Sequence, residues 1–400
     1  MGTVGLVVTA CALAAVVRVA GPSPPLRPVM ALPRVPSSPR VRLPLPGRGQ
    51  ASVAIAGVGP MAGSAVQPAI PIASVAKVMT ALVLLRDHPL RGPAGSRASG
   101  GPGLILTAAD AAAQQREAAA GDSTLVVRAG ERIDELQLLE ALLVPSADNA
   151  AEILARWDAG SLPAFVARMN ATARQLGLGH THYADASGLD PGTRSTAVDQ
   201  VRLAEVALRN PVFAAIVDRP WVQLPLAGRV FNYNRLLGQD GVVGVKTGWT
   251  PIAGGALVFA ARDRAGGSRV EVVGAVLGAR GGAPLAQAES TAARLLAVAL
   301  RQVRRRRPIA VGERLGALVV PWGRPVPLLA GGSVHLVGWM GLPVRVLAVM
   351  PDRWRPRLPL PRGARVGAVV VRAGAQRERL PVILGRALAP PGWGWRLIHG

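Results

Sequence analysis

Pro71-Ile72-Ala73-Ser74-Val75-Ala76-Lys77-Val78-Met79-Thr80-Ala81-Leu82-Val83-Leu84-Leu85 is apolar on nearly every face, the pattern of a helix buried at the centre of a domain. Ser74 and Lys77 interrupt it, three positions apart and so on one helical face. Ser74 falls at the first turn, where unpaired backbone N–H groups and the positive end of the helix dipole gather. A serine with a lysine one turn on can work as nucleophile and base if burial weakens the lysine's hold on its proton. The alternative is a helix cap beside a lysine that snorkels to water.

Composition separates the two. Of 46 Lys plus Arg, two are lysines, Lys77 and Lys246. Whatever drew the sequence toward Arg spared those two positions. A guanidinium keeps its proton inside a protein, whereas a buried ammonium can lose it. Lys246 stands in Gly244-Val245-Lys246-Thr247-Gly248, and Lys-Thr-Gly accompanies Ser-x-x-Lys in a known set of catalytic motifs.

Four hundred residues, half of them apolar, suit two or three domains with a real core. The formal charge of +23 raises nucleic acid as a partner. Few aromatics, Arg spread along the chain and no zinc-finger spacing argue for no nucleic acid; an acidic wall polymer or anionic lipid surface accounts for the charge as well. The single Cys11 excludes an internal disulfide and a cysteine metal site.

Residues 4–17 form an apolar run of 14 closed by Arg18, short for a bilayer span and suited to the core of an export signal, with Val29-Met30-Ala31 as a small-residue processing site. Residues 21–50, rich in Pro, Ser and Arg, read as an extended linker. An opening strand or hairpin is expected over 51–69, a surface loop over 91–103 and a strand at Thr124-Leu125-Val126-Val127. Helices are expected over 107–120, 133–143, 151–157, 165–176, 196–208 and 286–303. The runs 256–261 and 270–277 read as antiparallel strands, with Lys246-Thr247-Gly248 at the rim of the edge strand.

His180 and His182 read as structural polar residues in a turn-rich segment. Arg301-Gln302-Val303-Arg304-Arg305-Arg306-Arg307-Pro308 is a basic boundary, either a solvated helix end or a contact for anionic lipid or wall polymer. Beyond it short Val/Leu runs suggest a small all-β domain, and the tail with Trp393 and Trp395 reads as too short and Gly-rich for an amphipathic helix. Ser146 and Asp148 lie between two helices and taken alone could be caps.

Taken together, Pro71-Ile72-Ala73-Ser74, Leu142-Leu143-Val144-Pro145-Ser146, Ala186-Ser187-Gly188-Leu189-Asp190 and Val245-Lys246-Thr247-Gly248 resemble the serine D-alanyl-D-alanine carboxypeptidases, the low-molecular-mass penicillin-binding proteins of peptidase family S11. The resemblance covers about residues 51–300, with 72 residues from Ser74 to Ser146 and 100 from Ser146 to Lys246. It implies an α/β (α+β) penicillin-binding/β-lactamase-like transpeptidase fold, an antiparallel sheet flanked by helices plus an all-helical part. The implied division is 1–50 signal or anchor and linker, 51–307 catalytic domain, and 308–400 a small β-rich accessory domain.

Carried over by position, the family implies that Ser74 is acylated by the penultimate D-Ala carbonyl of a peptidoglycan stem peptide. Lys77, kept partly neutral by burial and a second cation, would take the Ser74 proton. Ser146 would relay a proton to the leaving D-Ala. Lys246 and Thr247 would help hold the terminal carboxylate, Gly248 would be a further substrate-binding residue, and the N–H groups of Ser74 and Trp249 would form the oxyanion hole. The resemblance also implies β-lactams as inhibitors, no metal or organic cofactor, and an exported protein.

One departure stands out. Where the family has Ser-x-Asn, this chain has Ser146-Ala147-Asp148, with Asn149 one place late, so either Asp148 or Asn149 is the expected contact to the substrate amide. An Asp there sets a negative charge near both lysines. Two rival readings follow: a class A β-lactamase, which needs a Glu that residues 180–200 lack, and an inactive wall-binding homologue disabled by Asp148.

Overall fold

The computed structural model describes residues 23–33, 41–90, 100–352 and 354–399. Contacts divide the chain into two compact units, Val41–Val303, and a second in which the described residues before position 41 join Arg304 onward. The apolar run 4–17 with Cys11, and residues 91–99 of the expected loop, lie outside the described residues.

The larger unit is built on a five-stranded antiparallel sheet. Its strands are β1 (Gln50–Ile55), β2 (Gly59–Gly63), β3 (Val242–Thr250), β4 (Gly254–Ala265) and β5 (Ser268–Ala279), in the order β3-β4-β5-β1-β2. Lys246, Thr247 and Gly248 therefore lie on an edge strand. The first eight residues of β4 and the last eight of β5 are buried without alternation, as strands covered on both faces must be. Gly274 on β5 pairs with Phe259 on β4, and a Cβ at Gly274 would overlap that ring. The glycine thus makes room for a fully buried aromatic.

Helix α1 (Lys77–Asp87) runs through the core, with every residue from Lys77 to Leu85 buried. Each fully buried Val, Leu or Met contributes about 1.5–3 kcal/mol, which anchors the Lys77 backbone. Around it pack α3 (Glu135–Leu143), α4 (Asp148–Ala159), α5 (Leu162–Gln175), α6 (Ala197–Ala207) and α7 (Pro211–Val217), while α2 (Ala108–Ala119) packs on α4 and α8 (Pro284–Gln302) against the sheet. Capping boxes fix two starts, Thr107 with Asp110 and Asp134 with Gln137. Helix α7 and the hairpin Trp221–Leu224/Gly228–Phe231 were not foreseen from the sequence.

Several local expectations are corrected. Residues 124–127 form no strand: the Leu125 N–H and C=O bond to the Asn149 side chain, not to a neighbouring strand. The presumed linker contains the strand Arg27–Met30, paired with Arg314–Val319. Val29 and Met30 of the presumed processing site lie in that strand. Of the basic boundary, Arg301 and Gln302 do end helix α8, whereas Arg304–Ile309 is a strand paired with Val334–Gly338. Trp393–His399 is helical, started after Pro390-Pro391 and braced by stacking of Trp395 on His399, ring centroids 4.8 Å apart.

In the second unit six antiparallel strands run in the order Arg27–Met30, Arg314–Val319, Val326–Ala330, Gln376–Leu384, Arg365–Ala373, Val344–Val349. Their core includes Leu26, Leu318, Leu328, Val369 and Val382. Among the described residues no helix is long and apolar enough to cross a membrane.

Candidate active site

Ser74 is the second residue of a 3-10 turn, Ala73–Ala76, that leads into α1. Ala73 has φ +50°, a left-handed conformation costing an L-residue roughly 1–2 kcal/mol. Packing holds it there. Gly188 lies so close that a Cβ would overlap the Ala73 carbonyl.

Lys77 is fully buried. Its Nζ donates to Ser74 Oγ at 2.8 Å, to Asp148 Oδ1 at 2.5 Å and to the Ser187 carbonyl at 3.1 Å. An ammonium has three protons, and here each has an acceptor. Asp148, the first residue of α4, is held in turn by its N–H, which donates to the Ser123 carbonyl at 2.7 Å. Ser146 is buried in the α3–α4 turn with φ +67°. Such strain at a non-glycine residue persists where the surroundings over-determine it.

Lys246 is also buried, and its Nζ donates to the Thr247 carbonyl at 3.0 Å. Burial pushes its pKa well below the ordinary lysine value; repulsion from Lys77 adds to this and Asp148 opposes it. The two scarce lysines are therefore near enough for each to feel the other's charge and that of Asp148. Gly248 brings β3 onto the nucleophile's turn: a Cβ there would stand 3.0 Å from Ser74 N and 3.1 Å from Val75 N. Thr247 is buried beside it, while the Trp249 side chain is half exposed.

The family described as D-alanyl-D-alanine carboxypeptidase, peptidase S11, matches residues 64–281. The chain belongs to that family. A D-alanyl-D-alanine carboxypeptidase, DacB2, of Mycobacterium tuberculosis is 35% identical over 219 residues, 53% of this chain and 68% of that protein. The solved Streptomyces K15 DD-transpeptidase is 27% identical with a TM-score of 0.54, covering 64% of this chain and 98% of its own. Penicillin binding protein 5 from Haemophilus influenzae, at 19% identity and TM-score 0.61, shares the fold over 89% of this chain and 99% of its own. The chain spans about half the length of several further curated relatives it matches. It is a serine peptidase with the penicillin-binding fold, and the class A β-lactamase reading gives way to it.

Within this family site, Ser74, Lys77, Asp148 and Lys246 come together, and Gly248 touches the Ser74 turn. Asn149 does not join them. Its amide is occupied at both ends, accepting from Leu125 N–H at 2.9 Å and donating to Leu125 C=O at 2.8 Å, so its expected substrate contact is replaced by a structural one. His182 pairs through its backbone with Arg194, and His180 N–H donates to Asp199; among the described residues no group of three or more His, Cys, Asp or Glu is placed to hold a metal.

Sequence reasoning missed Ser187, Asp122 and Glu117. Ser187 acts through its carbonyl, which residue identity does not signal, although its segment was singled out. Burial raises the Asp122 carboxyl above its usual range, and Asp148 adds to this while Lys77 opposes it. Burial pushes Glu117 up to about 7, reinforced by Glu152, Asp148 and Asp122. Nothing in local sequence placed those carboxylates beside Asp148.

Proposed function

We propose that the protein removes the terminal D-Ala from peptidoglycan stem peptides through an acyl-enzyme on Ser74. The observation that carries this is the Lys77 Nζ contact to Ser74 Oγ in a fully buried setting. Once Lys77 has lost a proton, its amine accepts the Ser74 hydroxyl proton as Oγ bonds to the penultimate D-Ala carbonyl carbon. Collapse of the intermediate breaks the C–N bond, and the D-Ala nitrogen leaves with a proton relayed by Ser146. Water then cleaves the ester.

The N–H groups of Ser74 and Trp249 hold the oxyanion, a role whose loss typically costs ~10²–10³ in rate. Lys246 and Thr247 bind the substrate carboxylate. Asp148, ion-paired to Lys77, faces the substrate amide in this reading. β-Lactams acylate the same serine.

Export, with action outside the cytoplasmic membrane, accords with this substrate. Contact with an anionic wall polymer or lipid surface is supported by residues 304–400, which carry 17 Arg against three acidic side chains. The direct test is D-Ala release from a D-Ala-D-Ala peptide. Wild type releases D-Ala, Ser74→Ala releases none, and Lys77→Arg, which cannot lose its proton, is slower by ~10²–10⁴. Release by Ser74→Ala at the wild-type rate would contradict the reading.

A further inference from the structure

The segment Asp185-Ala186-Ser187-Gly188, between α5 and α6, touches the nucleophile's turn and helix at three points. The Ser187 carbonyl accepts from Lys77 at 3.1 Å, the Ala186 carbonyl accepts from Thr80 Oγ1 at 2.6 Å, and Gly188 packs on Ala73. No strand or helix holds these residues in place. A single carboxylate does. Asp185 Oδ2 accepts from Ser187 Oγ at 2.7 Å, Gly188 N–H at 2.8 Å and Leu189 N–H at 2.9 Å. Asp185 Oδ1 accepts from Thr193 Oγ1, which itself accepts from the N–H groups of Ala184 and Asp185.

We propose that Asp185 is a positioning residue that fixes the Ser187 carbonyl as the third acceptor of Lys77 and so aims Lys77 Nζ at Ser74. Charge-assisted bonds to one carboxylate are strong enough to set an irregular segment. If the carbonyl drifts, Nζ keeps Ser74 Oγ and Asp148 as partners and is drawn toward the charged one. Nζ then swings away from the hydroxyl that its neutral amine must deprotonate. A displacement of about 1 Å at such a group costs roughly 10²-fold in rate.

This inference rests on Ser74 and Lys77 acting as proposed above. The test is the rate of Ser74 acylation by a chromogenic β-lactam, followed against pH in the full chain, with thermal unfolding measured alongside. Asp185→Ala is expected to acylate about 10–100-fold more slowly, with the pH dependence displaced. Asp185→Asn falls between wild type and Asp185→Ala, within about threefold of wild type, because its Oδ1 accepts the same three donors while the Thr193 hydroxyl loses its acceptor. Ser187→Ala keeps the carbonyl and the Gly188 and Leu189 N–H bonds to Asp185 but loses the hydroxyl bond, and acylates about threefold more slowly.

Should Asp185→Ala fail to fold, Ser187→Ala decides. A folded Ser187→Ala with the wild-type rate and pH profile overturns the proposal, and so does Asp185→Asn as slow as Asp185→Ala. Wild type that is not acylated at all sinks the proposed function instead.

Discussion

At the scale of single residues the site turns on Asp148, whose carboxylate lies 2.5 Å from the group that must take a proton. The two groups form an ion pair, so the charge on Asp148 acts directly on that nitrogen. Asp148→Asn keeps an acceptor oxygen and removes the charge, so acylation by a β-lactam at neutral pH is expected to be about tenfold faster, measured by stopped flow. Asp148→Ala leaves the buried Lys77 charge uncompensated and should cost about 3–5 kcal/mol in denaturant unfolding. Lys77 and Lys246 were legible because they are the two lysines in an Arg-rich chain. The role of Asn149 was not, because its partner Leu125 lies 24 residues away and offers backbone atoms.

At the scale of elements, α3 begins with a liability. Glu135 is fully buried, and neither carboxylate oxygen has a hydrogen-bond partner among the described residues. Burial pushes its pKa from 4.5 to about 7, with Asp134 and Asp158 adding to the shift. The folded state therefore holds a proton that the unfolded state has released. The stability this contributes is full below the unfolded value and is lost as pH rises through about 7. Glu135→Gln should raise the melting temperature at about pH 8 and change it little near the unfolded pKa; an equal shift at both pH values would contradict the assignment. Hydrophobic periodicity located α1, α5 and α6 because their partners are the common core. It misread 124–127, where extended apolar residues bond to a side chain, and the tail, where ring stacking offsets the glycine.

For the whole molecule, every side chain assigned to the site belongs to the unit Val41–Val303. A chain cut to 41–303 is therefore expected to acylate with a β-lactam within about threefold of the full chain, and loss of acylation in a folded fragment would contradict that. The excess charge sits elsewhere, so the full chain should co-sediment with an anionic polymer in a salt-sensitive way and the 41–303 chain much less. The strand Arg27–Met30 could not be read from sequence, since its partner Arg314–Val319 lies nearly 290 residues on. The penicillin-binding fold was legible through its motifs, each short, ordered and tied to chemistry.

The central claim is that a buried lysine activates Ser74. Mass spectrometry of the intact and digested protein after incubation with penicillin tests it most directly. One acyl group on the peptide containing Ser74, absent from Ser74→Ala, is the predicted result. An adduct on another residue, or labelling that persists in Ser74→Ala, would contradict it.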